Sequence, residues 1–320
     1  MLIKHFCCAL LFTFASLGAF ALAEPGDRSY VVTDSFGKHR LQKPPERVVV
    51  TDWALLEQLI ELGISPVGAP ELDRYRFYVK QPALPESIVD IGLRRKPSLQ
   101  TLEALEPDVV ILGTDQKDLS RPFSHIAPVM YYRSFSDKYR TNGKKSRVRF
   151  LQLADLFQRR ELAETKLADM DKEIATIREQ LQAHFETAHF EQSPRVTVVR
   201  FSSEEKILVY GKNSMALHTL EQLGLESGMT VSRSKWGYKE LPISALNEIR
   251  DGIILYIEPL GISEALFASQ KWLSLPAVKE QRVFPMNTVW SYGGAMSVLY
   301  KARAIHKALI GIPSQAENRL

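Results

Sequence analysis

Residues 159–188 read RRELAETKLADMDKEIATIREQLQAHFETA and contain neither glycine nor proline. Good helix formers make up most of this stretch. Apolar residues recur along it at steps of four and three, which places them on one face of a helix: Ala163, Leu167, Met170, Ile174, Ile177 and Leu181. The pattern predicts a single helix roughly 40 Å long, at about 1.5 Å per residue.

The same apolar stripe also fits the heptads of a coiled-coil arm. It continues for only about three heptads, however, and a coiled coil is better supported by four. We therefore expect the helix to pack within its own chain, and we expect the protein to be a monomer.

Short apolar runs alternate with helical patterns on both sides of this helix. Val109–Leu112 is a continuous apolar run before it, and 253–257 is a similar run after it. This order predicts an α/β fold with two parallel-sheet lobes joined by one long backbone helix. The expected divisions are an N-terminal lobe at 24–157, the helix at 158–188 and a C-terminal lobe at 189–320.

The first residues have the features of a secretory signal peptide. Lys4 and His5 precede an apolar run, and Ala21-Leu22-Ala23 ends it with small residues. We expect cleavage after residue 23 and a periplasmic location. A membrane anchor is the alternative, but the run is short for a span. Both cysteines, Cys7 and Cys8, fall within this segment, so the remaining chain has no thiol for a disulfide.

Composition and motifs argue against most other classes of function. The chain has 320 residues, of which 24% are charged, and a net charge of +4, which is too weak to indicate nucleic acid. No phosphate loop, dinucleotide fingerprint or G-x-S-x-G motif is present, so we expect a protein that is not an enzyme. We expect no cofactor and no protein-bound metal, since the histidines that follow the predicted signal peptide are scattered along the sequence: His39, His125, His184, His189, His218 and His306.

Aromatic residues in loops after predicted strands are the first candidate binding feature. Ligands of open parallel sheets bind beyond the carboxyl ends of the strands, and aromatic rings suit a bulky amphipathic ligand. The candidates are Trp53, Tyr78, Trp236, Tyr238, Trp290 and Tyr292.

A cluster of cations, Arg94-Arg95-Lys96, is the second candidate feature. It lies between a predicted strand and a helix that Ser98 is expected to cap. A guanidinium in this position suits an anionic, oxygen-rich ligand.

Three segments resemble a known family, the periplasmic ferric-hydroxamate binding proteins of bacterial iron ABC importers. They are Asp90-Ile91-Gly92-Leu93-Arg94-x-x-Pro97, Leu208-Val209-Tyr210-Gly211-x-Asn213-Ser214 and Val289-Trp290-x-Tyr292-Gly293. The resemblance extends from about Arg47 to Gly311. It implies a binding protein that captures a ferric siderophore and delivers it to an inner-membrane ABC permease with its ATPase.

The resemblance also implies roles for individual residues. Arg94 matches an arginine that contacts the hydroxamate oxygens, and the cleft contacts carried over are Leu208, Trp236, Trp290, Tyr292 and, as a softer match, Tyr78. Trp53, Tyr210 and Tyr238 are further candidate contacts that are not carried over from the family. The family member that binds ferrichrome has a tyrosine where this chain reads Gly113-Thr114-Asp115-Gln116. The polar contact to the ligand is therefore expected to differ, and the sequence leaves the particular siderophore open.

Two glutamates match positions at which the family docks on its permease. These are Glu57 in the first lobe and, more loosely, Glu221 in the second.

Three alternatives to the ligand stay open. Arg95 and Lys96 suit a carboxylate-bearing, citrate-type hydroxamate. Another chelate, such as a catecholate or haem, is the second alternative, and direct zinc or manganese binding on the same scaffold is the third.

Overall fold

A computed structural model of the chain describes residues 29–187, 193–258 and 265–312. The predicted signal peptide at 1–23 lies outside these residues. Within the described ranges, no helix combines the length and hydropathy needed to cross a membrane.

The first half of the chain alternates strands with helices. Its elements are β1 (Tyr30–Thr33), β2 (Lys38–Leu41), β3 (Val48–Val50), α1 (Trp53–Glu61), β4 (Gly68–Ala69), α2 (Leu72–Tyr78), β5 (Val89–Asp90), β6 (Gly92–Leu93), β7 (Lys96–Pro97), α3 (Leu99–Ala104), β8 (Val109–Leu112), α4 (Ser120–Phe123), β9 (Val129–Tyr131) and α5 (Asn142–Leu156).

Five of these strands form one parallel sheet in the order β5-β4-β3-β8-β9. The side chains of β3 and β8 are buried on both faces, as their unbroken apolar sequences predict for a covered parallel sheet. β1 pairs with β2, and β6 pairs with β7, in two small antiparallel hairpins.

The long helix, α6 (Arg160–Thr187), follows directly. Ala163, Leu167, Met170, Ile174, Ile177 and Leu181, the six residues of the predicted stripe, are all buried, together with Phe185. They belong to one apolar core that contains residues of both halves of the chain, from Val32 to Leu309. The apolar stripe therefore packs within its own chain, as predicted, and is not free to form a coiled-coil arm.

The second half repeats the alternation. Its elements are β10 (Val196–Phe201), β11 (Lys206–Tyr210), α7 (Met215–Gln222), β12 (Tyr238–Pro242), β13 (Ile253–Ile257), α8 (Ala265–Ala268), α9 (Gln270–Leu273), α10 (Pro276–Lys279), β14 (Val283–Met286) and α11 (Ser297–Ile310).

The second sheet has the order β12-β11-β10-β13-β14. β10, β13 and β14 are parallel, whereas β11 and β12 pair antiparallel. The connection from β10 to β11 is only 202–205, and a parallel crossover needs a dozen or more residues. The α/β fold with two sheets and a long helix between them is thus confirmed, with a mixed second sheet.

One face of α1 lies against the C-terminal half of the chain. Trp53, Glu57 and Glu61 follow one another at steps of four, so they share a helix face. The Trp53 ring meets that of Trp290 at 5.1 Å between centroids, and the hydroxyl of Ser297 donates to the carboxyl of Glu57 at 2.8–2.9 Å. The two sheets are therefore held together by direct contacts as well as by α6.

Glu61 extends this contact to the long helix. The hydroxyl of Tyr300 on α11 donates to Glu61, and Lys166 on α6 donates to the same carboxylate at 2.8 Å. Three helices from different parts of the chain meet at this group.

Gly293 and Gly294 permit this close approach. A Cβ on Gly293 would lie 1.7 Å from Ser297 Oγ and 2.5 Å from Glu57 Oε2, and one on Gly294 would lie 2.3 Å from Gln58 Cγ. No side chain fits there, which gives a packing reason for the Tyr292-Gly293-Gly294 sequence.

The structure contradicts the prediction that Glu57 docks on a permease. Its side chain is fully buried beneath α11, so it presents nothing to a partner. Burial raises the pKa of Glu57 to about 8, although the Ser297 hydrogen bond acts in the opposite direction. Lys301, also fully buried, has a pKa lowered to about 8 by the same loss of solvent.

Glu57 is expected to make the stability of the fold depend on pH. A solvated glutamate has a pKa near 4.5 and the folded one about 8, so between these values the unfolded chain releases a proton that the folded chain keeps. The free energy of unfolding should therefore fall as pH rises from 5 to 8. In Glu57→Gln this fall should be smaller, by on the order of 2 kcal/mol.

Urea denaturation at pH 5 and pH 8 measures this difference. Glu103→Gln, a substitution of an exposed glutamate on α3, is the matched control and should follow the wild type. Since Lys301 loses its proton only near and above pH 8, it contributes little in this window. Parallel curves for wild type and Glu57→Gln would contradict the burial of a neutral Glu57.

Candidate ligand-binding site

A cavity of about 470 Å³ lies between the two sheets, a volume within the usual range for small-molecule sites. Most of its walls are loops that follow strands. The first half of the chain contributes Asp52, Trp53, Ala54, Glu71, Arg74, Leu93, Arg94, Arg95, Thr114, Asp115, Gln116 and Phe135, and the second contributes Trp236, Tyr238, Trp290 and Tyr292.

Arg94 is placed by a tight hairpin. It occupies the two-residue turn with Arg95 between β6 and β7, and the side-chain amide of Gln116 donates to its carbonyl at 2.8 Å. Its guanidinium carbon lies 3.7 Å from the centre of the Trp53 ring, and its Nε donates to Glu71. A guanidinium has five N–H donors, and Nε uses one of them on Glu71.

Asp52 lies at the base of the same cavity. It caps α1 by accepting a hydrogen bond from the backbone N–H of Leu55 at 3.1 Å. Burial raises its pKa to about 6, against the opposing influence of that hydrogen bond and of Arg94. Trp53, the next residue, is fixed by its indole N–H, which donates to the carbonyl of Pro70 at 2.9 Å.

Aromatic rings form a continuous wall centred on Tyr292. Its ring lies 5.2 Å from Trp290, 5.6 Å from Trp236 and 5.9 Å from Tyr238, measured between centroids. Phe135 joins the wall from the N-terminal half, at 5.6 Å from Trp236. The structure brings the predicted aromatics Trp236, Tyr238, Trp290 and Tyr292 together. Three of them lie in loops next to strands, and Tyr238 is the first residue of β12.

Three predicted contacts do not line this cavity. Tyr210 is buried, and its hydroxyl is hydrogen-bonded to Ser291, between Trp290 and Tyr292. Leu208 is half-buried within β11, opposite Glu240. The ring of Tyr78, at the end of α2, lies under the guanidinium of Arg200 at 5.4 Å. For Tyr210, the position fits support of the aromatic wall better than direct contact.

The second predicted docking residue, Glu221, is on the surface. Its side chain is 65% exposed on α7, and a carboxylate oxygen lies 3.9 Å from Nδ1 of His218. Its role as a docking residue stays a prediction.

Glu71, Phe135 and Asp115 also line the cavity, although the sequence patterns did not single them out as contacts. Phe135 lies in the loop after β9, so the criterion that found the other aromatics also applies to it. Glu71 follows β4, and Asp115 follows β8. Both have positive φ, 52° and 66°, a conformation that is uncommon outside glycine and that concentrates at functional sites.

The cavity is not strongly basic. Three guanidinium groups line it, from Arg74, Arg94 and Arg95, and so do three carboxyl groups, from Asp52, Glu71 and Asp115. Glu71 pairs with both Arg74 and Arg94. Lys96 is not among the lining residues, so the predicted cationic cluster is reduced and largely offset by acidic groups.

Metal binding by the protein itself was another alternative. In the part of the chain that the structure describes, no three side chains of His, Cys, Asp or Glu come together as metal ligands. His218, the most buried candidate, packs against Gly143, and burial lowers its pKa to about 4. The cavity walls supply rings and hydrogen-bond donors instead.

Comparison with known proteins gives relatives over most of the chain. It is similar to the iron(3+)-hydroxamate-binding protein FhuD of Escherichia coli (strain K12), at 26% identity over 279 residues, covering 85% of this chain and 90% of that protein. It is also similar to the Fe(3+)-citrate-binding protein YfmC of Bacillus subtilis (strain 168), at 24% identity, covering 80% and 78%.

Among solved structures, the siderophore binding protein FhuD of Vibrio cholerae with Fe3+–Desferal bound has a TM-score of 0.79 and 38% identity. The match covers 83% of this chain and 98% of that one. The relatives are binding proteins rather than enzymes. Residues 48–288, well over half of the chain, match the model of the periplasmic binding protein family. The chain therefore belongs to the periplasmic binding protein family.

Proposed function

We propose that this protein captures iron(III)–hydroxamate siderophores in the periplasm and delivers them to an inner-membrane ABC permease. The observation that carries the proposal is a guanidinium stacked on an indole in a cavity whose opposite wall is aromatic. An arginine there supplies donors to the oxygens around iron, and the rings cover the organic part of the ligand. The relatives named for ferric siderophores support the same ligand class.

In this proposal the siderophore holds the iron and the protein holds the siderophore. Arg94 donates to the chelate oxygens, while Trp236, Trp290 and Tyr292 contact the chelate and its linkers. Trp53, which is buried, supports the Arg94 guanidinium from beneath. The protein supplies no ligand to the metal and performs no reaction. Binding is by shape, stacking and hydrogen bonds.

Two organisational predictions accompany the function. We propose the division into a signal peptide at 1–23, lobes at 24–157 and 189–320, and a linking helix at 158–188. The signal peptide accounts for export. The contacts of α1 with α11 and α6 favour a small movement of the lobes on binding, since a wide hinge opening would break buried hydrogen bonds.

Addition of a ferric trihydroxamate should quench the intrinsic fluorescence of the protein to saturation. Three of the four tryptophans, Trp53, Trp236 and Trp290, line the cavity, so a bound, light-absorbing iron chelate lies beside most of the emitters. Trp272 is in the core of the second half of the chain. Titration by fluorescence measures the effect.

Trp272→Phe is the matched control, since it removes emission from outside the cavity and should keep the quenching. The same titration with a ferric catecholate, ferric citrate and haem ranks the alternative ligands. Quenching by one of these, without any response to hydroxamates, would replace the proposed ligand class.

Arg94→Ala should weaken binding of the ferric hydroxamate by at least about 1.5 kcal/mol, the usual value of a hydrogen bond to a charged group. The same titration measures the loss. Lys96→Ala removes a charge two residues away that does not line the cavity, and its affinity should stay near that of wild type. Equal affinities for Arg94→Ala and wild type would remove Arg94 from the site.

A further inference from the structure

An ion pair crosses the mouth of the cavity between the two halves of the chain. The ammonium of Lys235, in the loop before β12, contacts the carboxylate of Asp115, in the loop after β8. The Asp115 side chain is 29% exposed and that of Lys235 is 48% exposed. Neither charge is used by the binding mode proposed above.

The ion pair stands between two cavities. On one side is the cavity lined by Arg94 and the aromatic wall. On the other is a groove of about 790 Å³. Both spaces are lined by Thr114, Asp115 and Phe135, so a ligand that extends from the first cavity into the groove passes Asp115.

The loop that carries Asp115 is held rigidly on both sides of it. The Thr114 hydroxyl accepts hydrogen bonds from the backbone N–H groups of Ser134 and Phe135 at 2.8 and 2.9 Å. The Gln116 side chain accepts from Gly113 N–H and donates to the carbonyls of Thr51 and Arg94, all at 2.8–2.9 Å. Asp115 lies between these two buried side chains and adopts a positive φ of 66°.

The two partners therefore differ in mobility. Asp115 has a short side chain on a fixed backbone, so its carboxylate has a nearly constant position. Lys235 reaches it with a long, half-exposed side chain, and exposed ion pairs of this kind contribute little stability. An incoming cation can displace the lysine at small cost.

We propose that Asp115 is a specificity residue that binds the terminal ammonium of a linear hydroxamate siderophore, in the place that Lys235 occupies in the free protein. The inference rests on the proposed function and names the ligand subclass: a linear chelate whose chain ends in an amine. The lysine ammonium marks where the ligand's own ammonium binds.

The fixed position of the Asp115 carboxylate determines whether the site favours a cationic or an anionic ligand tail. A ligand carboxylate would have to pair with Lys235 and would leave the Asp115 carboxylate beside it, a repulsive arrangement on a backbone that cannot move it away. A ligand ammonium releases Lys235 to solvent, where the flexible side chain is readily hydrated. Asp115 therefore favours cationic ligands and disfavours citrate-type ones.

The test compares two ligands that differ in one charge. Iron(III) desferrioxamine B is a linear trihydroxamate with a terminal ammonium, and its N-acetyl derivative has the same chelate without that charge. Fluorescence titration gives the ratio of the two affinities for each protein variant. The ratio is insensitive to general losses of stability, because both ligands meet the same variant.

We expect the wild type to prefer the amine by about threefold, since displacement of Lys235 offsets part of the gain. Lys235→Met removes the competitor and should raise the preference to about fivefold, the upper range for one partly exposed charge pair. Asp115→Asn keeps the positive φ, which Asn tolerates, and should abolish the preference.

Two variants control for the general effect of charge. Asp169→Asn and Lys172→Met make the same charge changes at exposed residues of α6 that line neither the cavity nor the groove, and both should keep the wild-type ratio. Equal binding of the two ligands by every variant would leave hydroxamate binding intact and overturn the role of Asp115. A failure of both ligands to bind the wild type would overturn the proposed function, and the inference with it.

Discussion

The contact between α1 and α11 is the constraint on which the cleft depends. Trp53, Glu57 and Glu61 form one face of α1, and their partners are Trp290, Ser297 and Tyr300 in the C-terminal half. The uppermost pair of this face, Trp53 with Trp290, is part of the cavity wall. The separation of the binding surfaces is therefore set by a helix contact directly beneath them.

The chemistry of this contact leaves little room for substitution. A carboxyl group with no exposure to water is stable only when it is hydrogen-bonded and largely neutral, and Ser297 supplies the hydrogen bond to Glu57. Gly293 and Gly294 leave room for it. The same short segment, 290–297, thus provides two rings of the aromatic wall and the packing surface for α1, so ligand contact and lobe spacing are determined together.

Local patterns in the sequence were sufficient for much of the fold. The stripe of α6 was predictable because helical periodicity alone determines which residues share a face. The sequence also predicted that Arg94, Trp236, Trp290 and Tyr292 would lie near the ligand cleft, because loops at strand ends meet at one edge of an α/β sheet.

Other features depend on partners that are distant along the chain. Glu57 reads as a surface glutamate on an amphipathic helix, and only Ser297, 240 residues away, shows that it is buried. The antiparallel pairing of β11 could have been inferred from its short connection to β10. The pairing of Asp115 with Lys235 could not, since nothing local to either residue indicates that their loops face each other.

Two ion pairs lie at the cleft in the free protein, Arg94 with Glu71 and Lys235 with Asp115. A charged group of the ligand that reaches either pair therefore replaces one partner of an existing ion pair. Recognition by exchange of partners costs less desolvation than filling an unpaired charged pocket. The sign of the ligand charge that binds then depends on which protein partner is fixed.

At Arg94 the stacked guanidinium is held against Trp53, which favours acceptor oxygens. At Asp115 the carboxylate is held by its loop, which favours a cation. The two ends of the cleft thus present opposite fixed charges, an arrangement suited to an elongated ligand with an oxygen-rich chelate and a cationic tail.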